Sequence, residues 1–263
     1  MKISKIETFT YWIEWCNWLF VKVSTDEGLH GWGEGSLHGA VRSVETAIQE
    51  LGAALIGQDP AGVERHWQAL YHAWRWRGGA TLSTALAALD IALWDIEGKR
   101  LGVPIYRLLG GPFRPRLRAY ASHWLAGAQT PEAAFEGARE AVRRGFTAFK
   151  WTAFDRERLL SRWEFRELLE SGGCKVIQPD LMHAAGITEV RKIAALADTY
   201  YIPVAPHNPG GPICMLAAMH LAAAIPNFLI LEQMEDERPL RDQLCTEPVR
   251  YADGSFALPT GPG

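Results

Sequence analysis

Lys175–His207, KVIQPDLMHAAGITEVRKIAALADTYYIPVAPH, holds the pattern that decides the fold. Lys175 to Pro179 and Ile202 to Pro206 read as short β-strands, with Ile187 to Thr199 between them as a helix. Strands joined through a helix lie parallel, because the crossover returns the chain to the same end of the sheet. The rhythm extends outward on both sides. Leu117 to Ser122 predicts a strand, and Thr130 to Arg144 a helix capped by Thr130 with Pro131 at its first position. Phe146 to Phe154 reads as strand, Leu159 to Glu170 as helix, Gly211 to Ala224 as helix and Phe228 to Leu231 as strand. That makes a (β/α) barrel pattern with five strands instead of eight. Roughly 150 residues are available for it, where a complete barrel takes about 250.

Upstream the grammar differs. Ile3 to Thr10 and Leu19 to Ser24 are rich in β-formers, and Asp26-Glu27-Gly28 supplies a turn before Leu29 to Glu34. Helices follow over Val41 to Leu55, Val63 to Trp76 and Thr81 to Lys99. In the last, Leu82, Ala85, Leu86, Leu89, Leu93 and Ile96 recur at three- and four-residue steps, which predicts one buried face. Gly102, Pro104, Gly110-Gly111-Pro112 and Pro115 then break the chain. The expected organisation is an α+β domain over 1–115 and a partial (β/α) barrel over 116–263.

Composition excludes several classes of function. Hydrophobic residues make up 48% and charged residues 22%, the balance of an ordinary soluble domain. A net charge of −3 with no Lys/Arg-rich run argues against a general nucleic-acid binder. The opening MKISKIETFTYWIEW has no apolar core like that of a secretion signal, and no stretch approaches a membrane span. Cys16, Cys174, Cys214 and Cys245 are scattered, which fits reduced thiols in a cytoplasmic protein.

Three segments carry a resemblance. The first is Gly31-Trp32-Gly33-Glu34 after a hairpin. The second runs Ala87-Ala88-Leu89-Asp90-Ile91-Ala92-Leu93-Trp94-Asp95-Ile96, continuing through Gly98-Lys99, Gly102-Val103-Pro104 and Leu108-Leu109-Gly110-Gly111. The third comprises Gln178-Pro179-Asp180, Ala205-Pro206-His207-Asn208-Pro209 and Pro226-Asn227-Phe228-Leu229-Ile230-Leu231-Glu232. In this order they resemble the mandelate racemase/muconate lactonizing enzyme group of the enolase superfamily, and within it the acid-sugar dehydratases of the galactonate dehydratase type. The resemblance implies an enolase-like fold, an α+β capping domain followed by a (β/α) TIM-type barrel. It also implies a deletion near 154–157. Phe149-Lys150-Trp151 resembles the second barrel strand, and Arg156-Glu157-Arg158 resembles the segment closing the fifth. The strands carrying Asp-x-His and Glu-Glu-Pro have no counterpart between them. A further segment returning to the first domain is expected after Gly263.

Such enzymes remove a proton next to a carboxylate while Mg²⁺ stabilises the enediolate. That C–H is a weak acid, so a dication must meet the developing charge. Mg²⁺ takes oxygen ligands, which the family supplies from three strand ends. By resemblance, Glu157 is the one matched metal ligand, His207 the base, Asp180 the residue orienting it, and Glu232 an auxiliary group. A carboxylate on one ring nitrogen fixes the tautomer and raises the basicity of the other. Each also has a plainer reading. His207 reads equally as a hydrogen-bonded loop histidine, Asp180 as a cap or turn residue, and Glu232 and Glu157 as solvated acids. Lys150 reads as a barrel-interior or edge residue, His183 as locally bonded, and Glu34 as a structural link between domain and barrel. The resemblance implies an acid-sugar substrate and a homo-oligomer. Racemisation, cycloisomerisation and an inactive remnant stay open, because the missing strands would carry the residues that separate these outcomes.

Overall fold

The computed structural model describes residues 1–75, 77–123, 131–150 and 159–263, with 131–135 described by backbone alone. The chain opens with an antiparallel sheet of β1 (Ile3–Trp12), β2 (Asn17–Thr25) and β3 (His30–Glu34). Then come α1 (Val41–Gly52), with a 3₁₀ turn at Ala53–Leu55, α2 (Val63–His72), α3 (Ala80–Leu101) and α4 (Ile105–Leu108). Alternation in β2 turns Leu19, Val21 and Val23 inward, where they meet Val44 and Ile48 of α1 and Ala85, Leu89 and Leu93 of α3. Each such fully buried Val, Leu or Ile contributes about 1.5–3 kcal/mol, far more than the local propensity of any one residue.

The single buried face predicted for α3 is corrected by the structure. Every residue from Ser83 to Leu93 is buried. On one side lies β3, whose glycines let the backbones touch. On the other lies α7 (Gly186–Asp198) from the second half of the chain. Trp32 N–H donates to Asp95 Oδ2 (2.8 Å), fixing β3 along the helix. A helix between two layers has no solvent face to pattern, so periodicity reveals only part of its burial.

The second half is built on β4 (Arg116–Ser122), followed by α5 (Pro131–Arg143), α6 (Arg162–Glu170), α7 and α8 (Pro212–Ala224). Then come β5 (Leu231–Met234), α9 (Arg238–Leu244), β6 (Tyr251–Ala252) and β7 (Ser255–Ala257). β5 pairs parallel with β4, and Phe149 bridges parallel to Ala121 on the far side. Phe228 bridges to Val204, while Ile177 and Asp180 bridge to Val204 and His207. Among the described residues the segments therefore line up as 177–180, 204–207, 228–234, 116–122 and 149, a parallel arc. The strands predicted at Lys175 to Pro179 and Ile202 to Pro206 are bridges rather than ladders. The strand predicted over Phe146 to Phe154 shows one bridge, and its end lies outside the described residues. The strand predicted at Phe228 to Leu231 forms later, at Leu231–Met234, so Glu232 sits within it and not after it.

The hairpin of β6 and β7 was not predicted. It pairs antiparallel with Arg116–Arg118 at the start of β4. Asp253 and Gly254 at its tip have φ of 52° and 71°, the left-handed pair that suits a tight hairpin turn. Among the described residues, no helix is long and apolar enough to cross a membrane. All four cysteines are free thiols.

Candidate active site

The parallel segments end on one side of the arc, and the polar residues gather there. His207 follows the Val204 bridge and Asp180 the Ile177 bridge, and the two residues are themselves bridge partners. His207 Nδ1 lies 2.7 Å from Asp180 Oδ2. Asp180 is buried, and its other oxygen accepts the N–H groups of Met182 (2.8 Å) and His183 (3.1 Å). An ionised carboxylate has no proton to give, so His207 Nδ1 is the donor. That leaves Nε2 as the basic position on a half-buried ring. Burial pushes the Asp180 carboxyl up, but the neighbouring His183 and His207, with the backbone N–H of His183, outweigh it. The net result is a carboxylate held well below the usual range.

Glu232, fully buried in β5, sits on the other flank. Its Oε1 accepts from Lys150 Nζ (2.9 Å), and its Oε2 accepts the Asn208 N–H (2.9 Å) and stands 3.9 Å from His207 Nε2. Burial raises this carboxyl, yet the charges of His207 and Lys150 and the Asn208 N–H bring it below the ordinary value. Tyr120 of β4 lies beside it, its hydroxyl accepting from Gln178 Nε2 (3.2 Å). Burial first, and Glu232 second, hold that phenol in its neutral form. The structure thus brings together His207, Asp180 and Glu232 with Lys150. Glu157 lies outside the described residues. The local bonding expected of His183 is only part of its setting: Nε2 stands 3.8 Å from Asp180 Oδ2, while Nδ1 meets Thr84 Oγ1 of the distant α3 at 3.1 Å. The Lys150–Glu232 pair needs strands distant in sequence to be neighbours, so nothing in the local pattern marks it.

The His207 turn is braced from behind by Arg241 of α9, which donates to the carbonyls of Asn208 (3.3 Å) and Gly210. Arg241 lies 3.5 Å from Glu237, also buried. Burial pushes Glu237 up from 4.5 to about 7; Arg241 opposes this, and Asp236 adds to it. The fold therefore favours the protonated acid. The cost of ionising it is absent below pH 4.5, grows as pH rises, and is fully present above pH 7. Glu237→Gln should flatten the fall in stability between pH 5 and pH 8, by on the order of 2 kcal/mol. Urea denaturation at both values measures it, and an unchanged slope would show that Glu237 is not the titrating group.

Comparison with known proteins places the chain in a family. Residues 13–110 match the mandelate racemase/muconate lactonizing enzyme N-terminal domain, and residues 153–263 match the enolase C-terminal domain-like family. D-galactonate dehydratase of Pectobacterium atrosepticum is 34% identical, across 89% of this chain and 81% of that protein. D-galactonate dehydratase of Xanthomonas axonopodis pv. citri is 33% identical, across 100% of this chain and 91% of that protein. The chain belongs to the mandelate racemase/muconate lactonizing enzyme family. Solved structures of this superfamily agree in shape. A putative dehydratase from Zymomonas mobilis superposes with a TM-score of 0.93 at 27% identity, covering 100% of this chain and 94% of that one. A putative dehydratase from Mesorhizobium loti gives 0.91 at 27% identity, covering 100% and 95%. The Xanthomonas alignment extends over 353 positions, against 263 residues here. That relative therefore has internal residues with no counterpart in this member of the family.

Proposed function

We propose that this chain carries the proton-accepting half of an acid-sugar dehydratase site. The reaction is loss of water from an aldonate-type hydroxy-acid after removal of the proton next to its carboxylate. The reading rests on the 2.7 Å contact between His207 Nδ1 and Asp180 Oδ2. It is supported by 34% identity to a D-galactonate dehydratase. His207 Nε2 takes the proton from the carbon, and its electron pair moves into the carboxylate to give an enediolate. Asp180 holds the ring tautomer and offsets the imidazolium charge. Glu232 and Lys150 border the same position. The electrons then return as the C–O bond to the β-hydroxyl breaks and the hydroxide leaves as water, taking one proton from solvent in place of the one that His207 removed. Among the described residues, no side chain takes the role of the acid that supplies that proton.

Mg²⁺ is the ion the family implies for the enediolate. Among the described residues, no three His, Cys, Asp or Glu side chains stand close enough to hold a metal ion. Glu232 is already engaged by Lys150 and Asn208. These donors do not fit Mg²⁺, and turnover by a chain of this sequence is impaired. Purified protein with Mg²⁺ and a panel of aldonates should yield no more 2-keto-3-deoxy acid than His207→Asn. Mg²⁺-dependent turnover abolished in that variant would overturn the impairment and keep the lineage. Turnover indifferent to the variant would overturn both. We place the chain in the cytoplasm, where its four cysteines stay reduced. We also expect self-association through exposed apolar residues such as Phe149, Val176 and Leu229; a monomer by light scattering would refute that.

A further inference from the structure

The two turns that carry Asp180 and His207 each lead into a helix, and each helix start is met by a carboxylate from the first half of the chain. After His207, the turn runs Asn208-Pro209-Gly210-Gly211 into α8. Glu34, at the end of β3, receives the N–H of Gly211 at Oε1 (2.5 Å) and of Cys214 at Oε2 (3.0 Å), with Ser36 Oγ donating to Oε1 (2.9 Å). Glu34 is completely buried. After Asp180, the turn runs through Ala185 and Gly186 into α7. Asp90 of α3, also buried, receives Thr188 Oγ1–H (2.5 Å) and Thr188 N–H (3.0 Å).

Glycines make both approaches possible. A Cβ on Gly186 would sit 2.5 Å from Asp90 Oδ2, and one on Gly211 would sit 3.0 Å from Glu34 Oε2. Other groups of the first half reinforce the same turns. Trp67 Nε1 donates to the Ala185 carbonyl (2.8 Å), and Trp94 Nε1 to Thr188 Oγ1 (2.9 Å). A carboxyl at a helix start satisfies N–H groups that have no partner within the helix; burial raises both of these carboxyls, Asp90 to about 7, and the N–H and hydroxyl donors that meet them pull in the opposite direction. Both helix starts face carboxylates supplied by the Gly-Trp-Gly-Glu segment and the long α3, the two sequence motifs for which the chemistry has no direct use.

We infer that Glu34 and Asp90 are positioning residues that set the register of the Asp180–His207 pair from the capping domain. Glu34 fixes α8 four residues after His207, and Asp90 fixes α7 eight residues after Asp180. The inference deepens the reading of that pair as the proton-handling group and rests on it.

The experiment reads the pair and not turnover. In the 263-residue chain with ¹⁵N-labelled histidine, the His207 Nδ1 proton bonded to Asp180 is expected as a low-field resonance. Glu34→Gln places an amide N–H against a backbone N–H, and Asp90→Asn takes away the acceptor of either the Thr188 N–H or the Thr188 hydroxyl proton. Both should move that resonance upfield or lose it to exchange. Ser36→Ala removes one bond to Glu34 and keeps the carboxylate, so it should give a smaller shift in the same direction even if Glu34→Gln does not fold. Ile48→Ala, in the buried core of the first half, is the control for lost stability and should leave the resonance in place. If Glu34→Gln and Asp90→Asn lower the melting temperature as Ile48→Ala does but leave the resonance unchanged, the inference fails. It fails equally if Ser36→Ala alone folds and shows no shift. Absence of the resonance in the unmodified chain would overturn the reading of the pair itself.

Discussion

Asp180→Asn is expected to erase the low-field His207 Nδ1 proton and to lower stability at pH 7 by about 3 kcal/mol. The amide keeps the shape of the carboxyl but presents a donor where His207 Nδ1–H now points at 2.7 Å. If its oxygen turns to His207 instead, its NH₂ meets the N–H groups of Met182 and His183. Either way, two donors face each other in a buried site, and at least one bond is lost. His207 relieves the conflict by moving its proton to Nε2, the atom that has to be bare to accept one. A neutral ring in that tautomer has no lone pair facing the site. Any proton abstraction that His207 performs under the proposed function should then fall roughly 10³–10⁴-fold, the cost of holding the wrong tautomer.

The pH dependence gives this prediction its sign. The carboxyl of Asp180 is held below its ordinary value in the fold. Its stabilisation is therefore present above the unfolded value and lost as pH falls through the folded one. The substitution should cost most at neutral pH, and the two proteins should converge in strong acid. Equal losses at neutral and acid pH would assign the effect to packing and not to charge.

Legibility in the sequence followed how local each feature is. The strand and helix alternation of residues 116–234 was readable because each element declares itself within a dozen residues. The Asp180–His207 contact was readable only through its two flanking motifs, since 27 positions separate the pair. Lys150 with Glu232 was not readable, because that bond exists only where three strands of the arc lie side by side. The Asp253-Gly254 hairpin has a local signal, an Asp-Gly pair between Tyr251 and Phe256, but its strands are only two and three residues long. The length of α3 was predicted closely, whereas its burial on two sides depends on α7, which lies a hundred residues further on. Glu157 and the Thr130 cap fall outside the described residues.

Gly33→Ala is expected to lower stability by about 3 kcal/mol or more, which for a chain of this size lowers the melting temperature by about 6 °C or more. β3 crosses α3 backbone to backbone. A Cβ on Gly33 would fall onto the carbonyl oxygen of Ala88, and one on Gly31 onto that of Ala92. Those carbonyls lie one turn apart on the same side of the helix, so the two glycines read as one contact line. Helical backbone cannot give way as the far end of a flexible side chain can. α3 cannot retreat either, because its opposite side holds α7 through Asp90 and Thr188. The strand has to lift, and it carries Glu34 with it, away from the start of α8. Gly31→Ala should show a similar loss. Gly261→Ala, where no atom lies within 4 Å of the added carbon, should stay within about 0.5 kcal/mol of the parent. If thermal denaturation gave Gly33→Ala and Gly261→Ala the same melting temperature, the close packing of β3 on α3 would be wrong. The route by which the first half of the chain reaches His207 would be wrong with it.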